Sequence, residues 1–87
     1  MMELRDKLIL VVDDEPRLTS MMRLNLETDG LRVQAASSGR EALDALREEM
    51  PDLILLDVMM PNMDGFETLR RIRVASQVPV IMLTAMN

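Results

Sequence analysis

Three apolar runs in this sequence each end in oxygen-bearing side chains. Leu8–Val12 is followed by Asp13, Asp14 and Glu15, residues 53–56 by Asp57, and Val80–Leu83 by Thr84. The chain has neither histidine nor cysteine, so Ser-His-Asp and Cys-His mechanisms are excluded and a metal must be held through oxygen. Crowded carboxylates repel one another, which raises their pKa values and destabilises the fold unless a cation neutralises them. Oxygen donors favour a hard ion, Mg²⁺ or the similar Mn²⁺, held by a few carboxylates and water. Such an ion can orient a phosphoryl group and screen its charge during in-line transfer. A lone Asp at a strand end is ordinarily a turn former or helix cap. The Asp13-Asp14 pair taken with Asp57 points beyond that.

The elements that must position these groups alternate between strand and helix. Leu8–Val12 is apolar throughout, as expected for a strand buried on both faces. Pro16 suits the first turn of a helix. Leu18, Met21, Met22 and Leu26 recur at helical spacing, and Gly30 can end that helix in a left-handed conformation. Leu31, Val33 and Ala35 alternate with Arg32 and Gln34, the pattern of an edge strand with one exposed face. Ser38 and Glu41 have capping-box spacing, and a helix with Ala42, Leu43, Leu46 and Met50 inward should follow. Pro51-Asp52 breaks it before a second buried strand over 53–56. A loop from Met59 to Gly65 leads to a helix with Phe66, Leu69 and Ile72 on one side, and Val80–Leu83 is the last strand.

Strands separated by helix-length segments imply right-handed crossovers and a parallel sheet with helices on both faces. The expected class is α/β, a flavodoxin-like doubly wound parallel sheet with strand order 2-1-3-4. Ligands of such sheets bind beyond the carboxyl ends of the strands, which is where Asp13, Asp14, Asp57 and Thr84 fall.

Composition narrows the class further. Eighty-seven residues make at most one small domain. Phe66 is the one aromatic residue, so aliphatic side chains and the ten methionines are expected to fill the core. A net charge of −5 argues against direct contact with nucleic acid, and Arg70, Arg71 and Arg73 read as the solvated face of a helix. The longest apolar stretches are too short to span a bilayer, and the N-terminus does not read as a signal peptide. A cytoplasmic domain is expected. There is no P-loop and no dinucleotide-binding glycine motif.

The segments Val11-Val12-Asp13-Asp14-Glu15, Leu55-Leu56-Asp57-Val58-Met59-Met60-Pro61, Met63-Asp64-Gly65 and Val78-Pro79-Val80-Ile81-Met82-Leu83-Thr84-Ala85 resemble the receiver domain of two-component response regulators. The resemblance runs over essentially the whole chain. It implies that Asp57 accepts a phosphoryl group from a sensor histidine kinase. It implies that Asp14 ligates Mg²⁺ directly, Asp13 largely through water, and Met59 through its backbone carbonyl. Thr84 would be the switch hydroxyl, Ala85 would leave room for the phosphoryl group, and Pro61 and Gly65 would shape the loop after Asp57. Met59 and Met86 flank the pocket at sites that, in receivers, govern attack by water on the aspartyl phosphate. The wording is most similar to receivers that precede winged-helix DNA-binding domains.

Receivers normally continue with a helix, a fifth strand ending in a lysine, and a final helix. Residues 1–87 are therefore expected to form the N-terminal portion of such a domain, with the downstream effector domain outside this chain. The one lysine, Lys7, stands before the first strand, at the wrong edge to contact a phosphoryl group. Without those elements, Val80–Leu83 would be an apolar edge, inviting homodimerisation or domain-swapped association. Two alternatives stay open. One is a truncated or engineered receiver fragment acting only as a self-associating interaction module. The other is a Mg²⁺-dependent phosphohydrolase forming an aspartyl phosphate, although such enzymes want a second acid where this chain has Met59. Otherwise the domain is not an enzyme acting on an external substrate but one that assists its own phosphorylation and dephosphorylation.

Overall fold

Strand β1 (Leu8–Val12) is buried along its whole length, as a five-residue apolar run requires. The computed structural model describes residues 5–83. After β1 come α1 (Pro16–Thr28), β2 (Arg32–Ala36), α2 (Gly39–Glu48), β3 (Leu53–Asp57), α3 (Gly65–Ala75) and β4 (Val80–Leu83). The sheet is parallel throughout, in the order β2-β1-β3-β4. This is the expected flavodoxin-like arrangement, and right-handed crossovers place helices on its two faces.

Local chemistry sets the element ends. Pro16 occupies the first turn of α1, where a missing N–H costs nothing. Gly30, at φ +91°, turns the chain out of α1. Ser38 caps α2 by accepting the Glu41 N–H at 3.1 Å. The Glu41 carboxylate reaches back to the N–H of Ser37 at 2.8 Å, one residue earlier than in the usual capping box. That bond holds the Glu41 carboxyl below its ordinary pKa.

The core lies on one face of the sheet. Leu10 and Val12 of β1 and Ile54 and Leu56 of β3 meet Ala42, Ala45 and Leu46 of α2 and Ile72 of α3. Full burial of each large aliphatic side chain is worth about 1.5–3 kcal/mol, so this layer carries most of the stability. Methionine contributes less than expected. Among the described residues Met60 is the one buried methionine, while Met21, Met50 and Met59 are exposed. Branched residues on the strands fill most of the interior, with half-buried Met82 of β4 packed against it, while Met21 and Met22 lie on α1 and Met59, Met60 and Met63 in the loop after β3.

The opposite face is thinner. Strand register places Ile9 beside Leu53, Val11 beside Leu55, and Leu55 beside Ile81 on that side. Among the described residues only α1 covers it, and α1 has no buried residue. The helical periodicity of Leu18 and Met21 is real, but both side chains are exposed. Met50 is likewise exposed, because α2 ends at Glu48, before it. Phe66, expected on the packed side of α3, is 62% exposed, and the buried side chain in that first turn is that of Thr68.

The basic residues of α3 are used locally. Arg70 and Arg71 pair with Glu67 at 2.6 and 2.7 Å, which holds the Glu67 carboxyl down at about 2. The Arg73 guanidinium donates to the Val78 carbonyl at 2.6 Å and ties the end of α3 to the approach of β4. No helix among the described residues is long and apolar enough to cross a membrane.

Candidate metal centre

In a parallel sheet every carboxyl end lies on one edge, and register decides which ends meet. Val12 pairs with Leu56, so Asp13 and Asp57 leave neighbouring strands at the same level. Asp13, Asp14 and Asp57 each offer a carboxylate oxygen within 4.8 Å of the others. Glu15 stands apart from this group, its carboxylate turned to the Arg17 N–H at the start of α1.

The three carboxylates differ in setting. Asp13 is 6% exposed. Its N–H donates to the Ala36 carbonyl at 3.0 Å, and its Oδ1 accepts the Glu15 N–H at 2.8 Å. Burial pushes its pKa above the ordinary Asp value. The Glu15 N–H opposes that shift, and the charges of Asp57, Asp14 and Glu15 add to it. Asp57 is half-buried, with Oδ1 accepting the Met59 N–H at 3.2 Å, and Asp14 is exposed. An all-oxygen cluster whose most buried member resists ionisation suits a hard divalent cation, which would relieve both the repulsion and the desolvation.

The loop after Asp57 is built to hold this geometry. Asn62 adopts a left-handed conformation, at φ +67°, and Pro61 is exposed beside it. Gly65 is buried, and its N–H donates to the Val58 carbonyl at 2.9 Å. A Cβ at Gly65 would collide with the Asp57 carbonyl oxygen and approach the Val58 Cα to 2.6 Å. Both are backbone atoms directly beneath the site. Gly65→Ala is therefore expected to destabilise the chain by about 1–3 kcal/mol, the usual cost of overpacking. Urea denaturation measures this, and an unchanged midpoint would contradict the tight fit.

Met59 is exposed at the mouth of the site. Thr84, Ala85 and Met86 lie outside the described residues. Lys7 stands before β1, at the edge opposite Asp13. Sequence reasoning passed over Gly39 and Thr68, which meet where α2 packs on α3 close to the Asp57 loop.

Residues 9–87 match the family described as the response regulator receiver domain. The chain is 48% identical over 79 residues to the transcriptional regulatory protein AfsQ1 of Streptomyces coelicolor, covering 91% of this chain and 35% of that protein. It is therefore similar to about a third of that relative. The solved N-terminal domain of a response regulator receiver protein from Methanoculleus marisnigri superposes with a TM-score of 0.88 at 49% identity, covering 91% of this chain and 67% of that one. The response regulator protein TrrA of Thermotoga maritima, solved in complex with Mg²⁺ and a beryllium fluoride, gives a TM-score of 0.85 at 36% identity, covering 93% of this chain and 71% of that one. Strand order, the carboxylate cluster and a family match over nearly the whole chain agree: this chain belongs to the response regulator receiver domains of two-component signalling.

Proposed function

We propose that the chain is the N-terminal portion of a phosphoacceptor module, with Asp57 as the acceptor. An Asp57 carboxylate oxygen attacks the phosphorus of a phosphohistidine on a sensor kinase. The new P–O bond forms as the P–N bond breaks, and the imidazole nitrogen keeps the electron pair and takes up a proton. Asp13, Asp14, Asp57 and the Met59 carbonyl would hold Mg²⁺, or Mn²⁺ in its place. When bound, that ion screens the phosphoryl charge and favours in-line geometry. Asp13 and Asp14 orient and neutralise without forming a bond to phosphorus. Pro61 and Gly65 keep the loop in place, Thr84 supplies a hydroxyl toward the phosphoryl oxygens, and Ala85 leaves room for it.

The observation that carries this function is the meeting of three carboxylates at adjacent strand ends, Asp13 buried, Asp57 half-buried and Asp14 exposed. The Mg²⁺ and beryllium fluoride bound by TrrA support the same chemistry, and the likeness to AfsQ1 supports a transcriptional output through a downstream effector domain. The module is cytoplasmic. It turns over no external substrate and assists only its own phosphorylation and dephosphorylation. Bulky Met59 and Met86 exclude water and prolong the phosphoryl state, and decay within seconds would count against that role.

The test is incubation with Mg²⁺ and a small phosphodonor such as acetyl phosphate, followed by intact mass and peptide mapping. A single phosphoryl increment on Asp57 that fails to form when EDTA is present from the start is expected. An adduct on another residue, or none at all, would overturn the assignment.

One further behaviour is favoured by β4, an edge strand among the described residues whose Ile81 is 50% exposed. We expect the 87-residue chain to self-associate through Val80–Leu83, since an apolar edge offers unpaired backbone groups to a second copy. Ile81→Lys should shift light scattering toward monomer. A wild-type chain that is already a stable monomer with a cooperative melt would contradict this.

A further inference from the structure

Gly39, the first residue of α2, is buried. A Cβ built there would collide with the Thr68 hydroxyl and come within 2.9 Å of the Met63 Sδ. Methionine can yield. Thr68 cannot easily do so, because it is fully buried and β-branched on a helix. Its hydroxyl also donates to the Asp64 carbonyl at 2.8 Å, alongside its own N–H at 2.9 Å. Met63 and Asp64 belong to the loop that leaves Asp57, and Asp64 caps α3 through the Glu67 N–H at 2.9 Å.

The other end of the same turn reaches Asp13. The Ala36 carbonyl, three residues before Gly39, accepts the Asp13 N–H. Residues 36–39 thus touch both halves of the carboxylate cluster, Asp13 through Ala36 and the Asp57 loop through Gly39. We propose that Gly39 is a positioning residue for the metal centre. Its missing side chain lets α2 seat on Thr68 and Met63, and that seating sets the Asp57–Asp64 loop at its working distance from Asp13. The inference rests on Asp13, Asp14 and Asp57 being the Mg²⁺ ligands. A methyl group at position 39 must move either α2 or the loop. Mg²⁺ tolerates little displacement of its ligands, because it demands near-ideal octahedral geometry.

The test is a Mg²⁺ titration by calorimetry on the 87-residue chain, with melting temperature in EDTA recorded in parallel, for wild type, Gly39→Ala, Thr68→Ala and the pair. Gly39→Ala should weaken Mg²⁺ binding about tenfold, at the lower end of effects from groups that support metal ligands. Thr68→Ala should weaken binding less than Gly39→Ala does, because it loosens the seat without a clash, and the pair should regain most of what Gly39→Ala lost, because removing the hydroxyl makes room for the methyl. Wild-type affinity in folded Gly39→Ala, or a pair as weak as the single variant, would overturn the proposal. So would a lower melting temperature with unchanged affinity, which is what a purely structural contact produces. If Gly39→Ala does not fold, a folded pair that binds Mg²⁺ more weakly than Thr68→Ala supports the proposal, and a pair that equals Thr68→Ala, or does not fold, shows a purely structural contact and overturns it. No Mg²⁺ uptake by wild type would remove the metal assignment itself, an outcome distinct from any difference among variants.

Discussion

Asp57→Asn abolishes Mg²⁺-dependent adduct formation and leaves the fold intact. Asparagine keeps the shape of the side chain and an Oδ1 that accepts the Met59 N–H, the one hydrogen bond through which Asp57 sets the start of its loop. It removes the anionic oxygen proposed to attack phosphorus, and a carboxamide is a poor nucleophile. Adduct should fall by more than about a hundredfold, in line with the loss of a reacting group rather than a supporting one. The substitution also removes one of three mutually repelling charges, so melting temperature in EDTA should hold or rise. Intact mass after phosphodonor treatment and a thermal melt decide the matter together. Full phosphorylation of folded Asp57→Asn at Asp13 or Asp14 would show that the cluster has no unique acceptor.

How much of this was legible in the sequence follows from which interactions are local. Runs such as Leu8–Val12 declare buried strands because each position must be apolar, and parallel pairing then forces Asp13 and Asp57 to one edge. The cluster is therefore legible in the sequence itself. Periodicity marks an apolar stripe on α1 but does not say whether a layer covers it, which is why Leu18 and Met21 were expected to be packed and are exposed. Phe66 misled for a related reason. Position 66 lies on the flank of α3, and the position facing α2 belongs to Thr68, a polar residue whose hydroxyl is satisfied by the turn before it. The Gly39–Thr68 contact joins residues far apart in sequence. The available signal was a glycine in the first helical turn, where alanine would favour the helix more. That signal marks a close approach without naming the partner.

Asp13→Asn should separate stability from metal binding. The Asp13 carboxyl has a raised pKa, first because it is buried and further because Asp57 and Asp14 are charged beside it. A raised folded-state pKa means that its contribution to stability is fully present below the unfolded value and is lost as pH rises through the folded one. Near neutral pH the metal-free chain therefore carries a destabilising charge. Asparagine at position 13 can keep the Oδ1 bond to the Glu15 N–H, and its amide can donate toward the neighbouring carboxylates. Removing one like-charge pair at about 4 Å is worth about 1 kcal/mol even in a water-like dielectric, or ~4–8 °C in a domain of this size. The metal-free variant should thus melt higher than wild type at pH 7, with the difference shrinking as pH falls toward the ordinary Asp range. Mg²⁺ should reverse the order, because it would stabilise wild type by mass action while the variant lacks the most buried of the proposed ligands. Melts in EDTA and in saturating Mg²⁺ across pH measure both effects. A variant that melts lower in EDTA, or that gains as much from Mg²⁺ as wild type does, would show that Asp13 is a structural residue and no part of the metal centre.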